Sequence, residues 1–122
     1  QKITSLYQGE GLEKMKRYDE AIDNYKEILS INPKSSYALF RIAFCFEKKY
    51  DFENSLNYYY KCVNNDPNMD KAFFRLSMFY YREKKFKRAI EYIEKAIKLN
   101  QEKSKYWKIY LNCLSKTSTK NY

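Results

Sequence analysis

An all-α protein assembled from repeated helix pairs is what this 122-residue sequence predicts, and three observations carry the prediction. A phrase returns every 34 residues: Tyr18-Asp19-Glu20-Ala21-Ile22 through Asn32-Pro33, then Phe52-Glu53-Asn54-Ser55-Leu56 through Asp66-Pro67, then Phe86-Lys87-Arg88-Ala89-Ile90 through Asn100-Gln101. Apolar residues keep helical spacing: Leu39, Ile42, Ala43 and Phe46 stand at i, i+3, i+4, i+7, and Phe73, Leu76, Ser77 and Tyr80 repeat the pattern. Loop formers are scarce, with two glycines and two prolines, so irregular connections are few.

With position 1 of each repeat at Lys2, Ser36 and Asp70, three units span 2–35, 36–69 and 70–103. A fourth unit contributes one helix, 104–116, ahead of a polar tail, 117–122, expected to fray. The length is that of one domain. Each full unit is expected to fold as a helical hairpin, which places helices at 3–15, 18–31, 36–49, 52–65, 70–83, 86–99 and 104–116. In the first helix, Ser5 and Gln8 stand where large apolar residues are wanted, with Leu6 and Leu12 to compensate. Gly9 sits where later units place Ala43 and Ser77, because two helices approach closely only across a short side chain. The second helices alternate small and large: Ala21, Tyr25 and Ile28; Ser55, Tyr59 and Cys62; Ala89, Ile93 and Ala96. Pro33 and Pro67 lack an amide hydrogen and disfavour helical geometry in Asn32 and Asp66, which ends the helices there. Gln101 replaces the third proline and weakens that stop. In the last helix, Trp107, Leu111 and Leu114 fall at i, i+4, i+7 and are expected to cover the third hairpin's apolar face.

The period of 34, the aromatic opening, the recurrent small residue and the closing Asn/Asp-Pro together resemble the tetratricopeptide repeat, over residues 2 to about 114. The resemblance implies a right-handed superhelical array acting in protein–protein interaction as an adaptor or scaffold. It also implies that the first helices line a concave groove through positions 2, 5, 6, 9, 12 and 13. In this chain those are Ile3, Leu6, Tyr7, Glu10, Glu13 and Lys14; Tyr37, Phe40, Arg41, Phe44, Glu47 and Lys48; Lys71, Phe74, Arg75, Met78, Tyr81 and Arg82. Tyr37, Phe40, Arg41, Phe44, Lys71, Phe74, Arg75 and Met78 are the expected partner-binding set, with Phe40 and Phe74 equally able to serve as packing. Arg41 and Arg75 have no packing role in this reading and are expected to grip a carboxylate or stack on an aromatic. The expected partner is a protein segment with apolar anchors and acidic groups.

One subfamily grips the carboxyl terminus of Hsp70 or Hsp90 with a two-carboxylate clamp. Lys71 and Arg75 match its third-unit pattern, but Leu6, Glu10 and Arg41 replace its lysine and asparagines. Glu10 would repel a ligand carboxylate by about 1 kcal/mol or more at close range. The clamp is therefore an alternative.

Charge is uneven along the chain. Residues 1–69 hold ten basic and ten acidic side chains, whereas residues 70–122 hold fourteen and five, so the net +9 belongs to the second part. The densest run is Arg82, Lys84, Lys85, Lys87 and Arg88. It reads as a solvated surface, as a site for an acidic partner, or, beside tyrosines, as a nucleic-acid contact. Self-association through an exposed terminal face is a further class.

Histidine is absent, which removes imidazole catalysis and most zinc patterns, and no phosphate-cradling glycine motif occurs; Gly9-Glu10-Gly11 lies inside a predicted helix. The sequence therefore predicts no enzyme, no cofactor and no metal. Cys45, Cys62 and Cys113 form no CxxC pair and read as reduced packing residues of an intracellular protein, Cys62 sharing the small-residue position of Ala96. No run of about eighteen apolar residues predicts membrane insertion, and no apolar leader is visible. A start at Gln1, inside a repeat and without methionine, is expected of a segment of a longer protein.

Overall fold

The computed structural model describes the backbone of residues 2–119 and the side chains of residues 6–117. The groove position Ile3, the packing position Ser5 and the end of the polar tail lie outside the described side chains. The described residues form seven helices and no strand: α1 (Lys2–Lys14), α2 (Tyr18–Ile31), α3 (Ser36–Lys48), α4 (Phe52–Asn65), α5 (Asp70–Arg82), α6 (Phe86–Leu99) and α7 (Ser104–Thr119). The last helix runs past its expected end at 116. The polar residues after Leu114 extend it, and the Thr117 hydroxyl donates back to the Leu114 carbonyl at 3.0 Å.

Helix ends follow local chemistry. The amide of Asn32 closes α2 on the Ile28 carbonyl and that of Asp66 closes α4 on Cys62, both at 2.8 Å, immediately before the prolines. Asn100 closes α6 the same way on Ala96 at 2.9 Å, so the stop survives the loss of proline. Ser35 and Asp51 cap α3 and α4 by accepting from the amides of Ala38 and Asn54. After each first helix, at position 15 of every unit, one residue takes positive φ: Lys16 at 60°, Tyr50 at 63° and Lys84 at 61°. Glycine or asparagine is usual there, and neither occurs.

The helices group into two compact units, Gln1–Asp66 and Pro67–Tyr122. In the first, α1 to α4 pack each against the next. Its core joins Ala21, Ile22 and Tyr25 of α2 to Ala38, Ile42 and Cys45 of α3, with Leu12 and Ile28 at the edge. Gly9 is buried against Tyr25, and a Cβ there would lie 2.6 Å from the ring. Between α3 and α4 the Ser55 hydroxyl donates to the Ala43 carbonyl at 2.8 Å, so a short residue faces a short residue.

In the second unit α5, α6 and α7 pack together. Phe73, Leu76, Ser77 and Tyr80 are buried with Ala89, Ile93 and Ala96 of α6, and the Tyr92 ring stacks on those of both Phe73 and Tyr80. The face by which α7 joins them differs from the one expected. Tyr106 and Cys113 are fully buried and Ile109 packs beside them, whereas Trp107 and Leu111 are 40% and 59% exposed. Repeat register gives the reason. Tyr106 and Cys113 occupy positions 3 and 10, through which α3 uses Ala38 and Cys45 to meet the preceding α2. Trp107, Leu111 and Leu114 occupy positions 4, 8 and 11, which in α3 and α5 meet the second helix of the same hairpin.

Candidate functional site

The first unit holds an open cavity of about 550 Å³ lined by Glu10, Glu13 and Lys14 of α1, Tyr18 at the start of α2, and Tyr37, Arg41 and Phe44 of α3. Six expected groove positions thus meet there, three of them, Tyr37, Arg41 and Phe44, from the expected partner-binding set. Phe40 does not join them: it is 7% exposed and packs edge to face on Tyr59, with ring centroids 5.7 Å apart. Its packing role prevails.

Arg41 is not the free fork that sequence register suggested. Its guanidinium holds the Glu13 carboxylate through both Nε, at 3.0 Å, and Nη2. Glu13, with a side chain only 8% exposed, also accepts the Tyr25 hydroxyl at 2.5 Å. Burial alone would lower the Arg41 pKa, but the bonds and charge of Glu13 outweigh it and raise it. Burial, then the Glu13 hydrogen bond, raises Tyr25. The Arg41 plane lies over Phe44, 4.8 Å from its centroid, and the Lys48 ammonium approaches the same ring at 5.1 Å. At the cavity's other wall, Tyr37 donates to Glu10 and meets the Tyr25 ring edge-on at 6.2 Å. Burial and that bond push the Tyr37 hydroxyl up to about 12.

Sequence reasoning placed Glu13 in the groove but missed its partners. A signal was present: a tyrosine follows a glutamate by twelve residues in the first two repeats, and both pairs bond, Tyr25 to Glu13 and Tyr59 to Glu47 at 2.7 Å. The third repeat has Tyr81 and Ile93 instead.

On α5 of the second unit, Lys71 is exposed, Arg75 and Met78 are half-buried, and Phe74 is 8% exposed against Tyr106, centroids 5.0 Å apart. Phe74, like Phe40, packs. The Tyr106 hydroxyl donates to Asp70 at 2.6 Å, tying α7 to the start of α5. Arg82, Lys84, Lys85, Lys87 and Arg88 are all exposed around the α5–α6 turn. Of the rings beside them, Tyr80 lies under Arg88 and Phe86 under Lys116, and half-buried Tyr81 meets Phe86 edge-on. All three cysteines are buried thiols outside any disulfide, and burial pushes Cys45 and Cys62 up to about 12. Among the described residues no group of acidic or cysteine side chains could hold a metal ion, and no helix is long and apolar enough to cross a membrane.

The tetratricopeptide repeat family matches residues 4–35, 37–68 and 70–103. The chain belongs to that family. Tetratricopeptide repeat arrays are non-enzymatic in fold and serve as protein-interaction modules, and this chain is one such module. Among curated proteins no sequence matches significantly. Solved tetratricopeptide repeat domains share its fold. The Sgt2 domain from Aspergillus fumigatus is 23% identical with a TM-score of 0.83, covering 97% of this chain and 80% of that one. The first such domain of Spaghetti (RPAP3), bound to the HSP90 peptide SRMEEVD, is 17% identical with a TM-score of 0.85, covering 95% and 92%. The TPR2B domain of yeast Sti1, in complex with an Hsp70 peptide, is 18% identical with a TM-score of 0.80, covering 93% and 95%.

Proposed function

We propose that the chain binds an extended segment of a partner protein and seats an apolar or aromatic side chain of that segment in the cavity between α1 and α3. The observation that carries this reading is the cavity itself: its volume suits a ligand side chain, and Tyr18, Tyr37 and Phe44 offer apolar surface. Arg41, held by Glu13, fixes the Phe44 wall from within, and an acidic group on the partner is met instead by Lys14 and Lys48. Lys71, Arg75 and Met78 are assigned to the same partner by repeat register. Such a module binds without catalysis, and its three reduced, buried thiols suit an intracellular, reducing compartment.

A chaperone-tail clamp is the second reading. Likeness to two solved complexes with chaperone peptides favours it, as do Lys71 and Arg75. Glu10 and the engaged Arg41 weigh against it. Nucleic acid is disfavoured because Tyr80 and Phe86, beside the basic run, lie under Arg88 and Lys116, which withdraws two rings as stacking platforms.

The test is a nuclease-treated pull-down comparing wild type with the Tyr37→Ala/Phe44→Ala variant, alongside titration of SRMEEVD. A protein retained only by wild type supports the cavity reading. Identical retention by both forms overturns it. Tight SRMEEVD binding that is lost in Lys71→Ala/Arg75→Ala but kept in the cavity variant transfers the assignment to the clamp.

A further inference from the structure

Positive charge collects where α5 turns into α6. Five of the seven residues from Arg82 to Arg88 are basic and one, Glu83, is acidic, and all five cations are exposed. The fold adds a sixth: Lys116, near the end of α7, lies over the Phe86 ring at 5.7 Å. Three helices thus contribute to one patch.

The same repeat positions in the first unit show the arrangement that helps the fold. Arg17 pairs with Glu20 at 2.6 Å, and Lys49 of the next hairpin pairs with Asp19. Two repeats on, Lys85, Lys87 and Arg88 stand at the positions of Arg17, Asp19 and Glu20, and Thr117 at that of Lys49. An ion pair three residues apart has become two like charges, and the cation from the next hairpin has become a hydroxyl that donates to the Leu114 carbonyl at 3.0 Å. Lys84, Lys85 and Lys87 form no ion pair among the described residues. Like charges at this spacing cost stability, so the packing of the hairpin gives no reason for the exchange. An anion from outside does.

Carboxylates suit the patch better than a nucleic-acid strand. Tyr80 and Phe86 lie under Arg88 and Lys116, which removes two rings from base stacking, whereas lysine and arginine bond carboxylates without any ring. The cations come from three helix ends and a turn instead of one helix face, so the carboxylates must arrive on an extended run. We propose that this patch docks an extended acidic segment of a partner protein, independently of the cavity in the first unit.

The probe is a twelve-residue acetylated and amidated peptide alternating glutamate and serine, dye-labelled and followed by anisotropy at low ionic strength. Two variants each remove three charges from the net +9: Lys84→Gln/Lys85→Gln/Lys87→Gln in the patch, and Lys26→Gln/Lys34→Gln/Lys61→Gln in the first unit. Saturable binding to the wild type is expected, weaker by about tenfold or more in the patch variant. It should be unchanged in the first-unit variant and in Tyr37→Ala/Phe44→Ala. The three patch lysines are exposed, so their variant should retain the wild-type circular dichroism. No saturable binding, equal loss in the two charge-matched variants, loss in the cavity variant, or tighter binding of a twelve-nucleotide thymidine strand than of the peptide would each overturn the proposal, the last by making nucleic acid the occupant.

Discussion

Arg41 and Glu13, 28 residues apart, are joined by a two-point ion pair whose carboxylate also takes the Tyr25 hydroxyl. A buried acid of this kind tolerates its position only while its donors remain. Arg41→Ala is therefore expected to lower unfolding free energy by about 2 to 4 kcal/mol in urea titration, while Arg41→Met with Glu13→Leu recovers most of it. If the single variant unfolds at the wild-type midpoint, the pair has no structural role.

The two glycines should respond in opposite directions. A Cβ at Gly9 would sit 2.6 Å from the Tyr25 ring, whereas one at Gly11 meets nothing within 4 Å. Gly9→Ala is expected to cost about 1 to 3 kcal/mol, and Gly11→Ala to stabilise by about 0.5 to 1 kcal/mol through helix propensity. Thermal melts of the two variants on either side of wild type are the expected result.

Lys16 holds φ of 60° with a Cβ that this region disfavours. Lys16→Gly should raise the melting temperature, by an amount equivalent to about 0.5 to 1 kcal/mol. An unchanged or lower melting point would show that glycine's greater freedom in the unfolded chain cancels the relief.

Tyrosine titration predicts alkaline weakening. Burial, then hydrogen bonds to Glu13, Glu10 and Asp70, raises Tyr25, Tyr37 and Tyr106, with Tyr37 pushed up to about 12. The unfolded chain releases these protons near pH 10 and the folded one keeps them. Stability from this source is full below about pH 10 and is lost as pH rises toward about 12. Denaturation midpoints flat from pH 8 to 9.5 and falling thereafter are expected, with the fall reduced in Tyr37→Phe.

The helices were legible because period and proline position are written in single residues: six of seven end within a residue of expectation. The small-residue positions Gly9, Ala43, Ser77, Cys62 and Ala96 are buried for the steric reason the repeats suggest. The site was less legible. Register places Arg41 on α3 but does not reveal that Glu13 on another hairpin reaches it first, and it does not separate the packing of Phe40 and Phe74 from exposure. Trp107 misled because one helix offers two apolar faces, and periodicity within α7 does not say which one its neighbour takes.

The tyrosine–glutamate bonds of the first two hairpins each close a span of twelve residues. Short spans are cheap to close in chain entropy, and contacts local in sequence form early. Each of these hairpins thus carries its own latch, one it can fasten before it meets its neighbours. Assembly of the first unit then becomes the stacking of two preformed pieces, and the Arg41–Glu13 pair, which bridges the hairpins, is the step that registers one piece on the other.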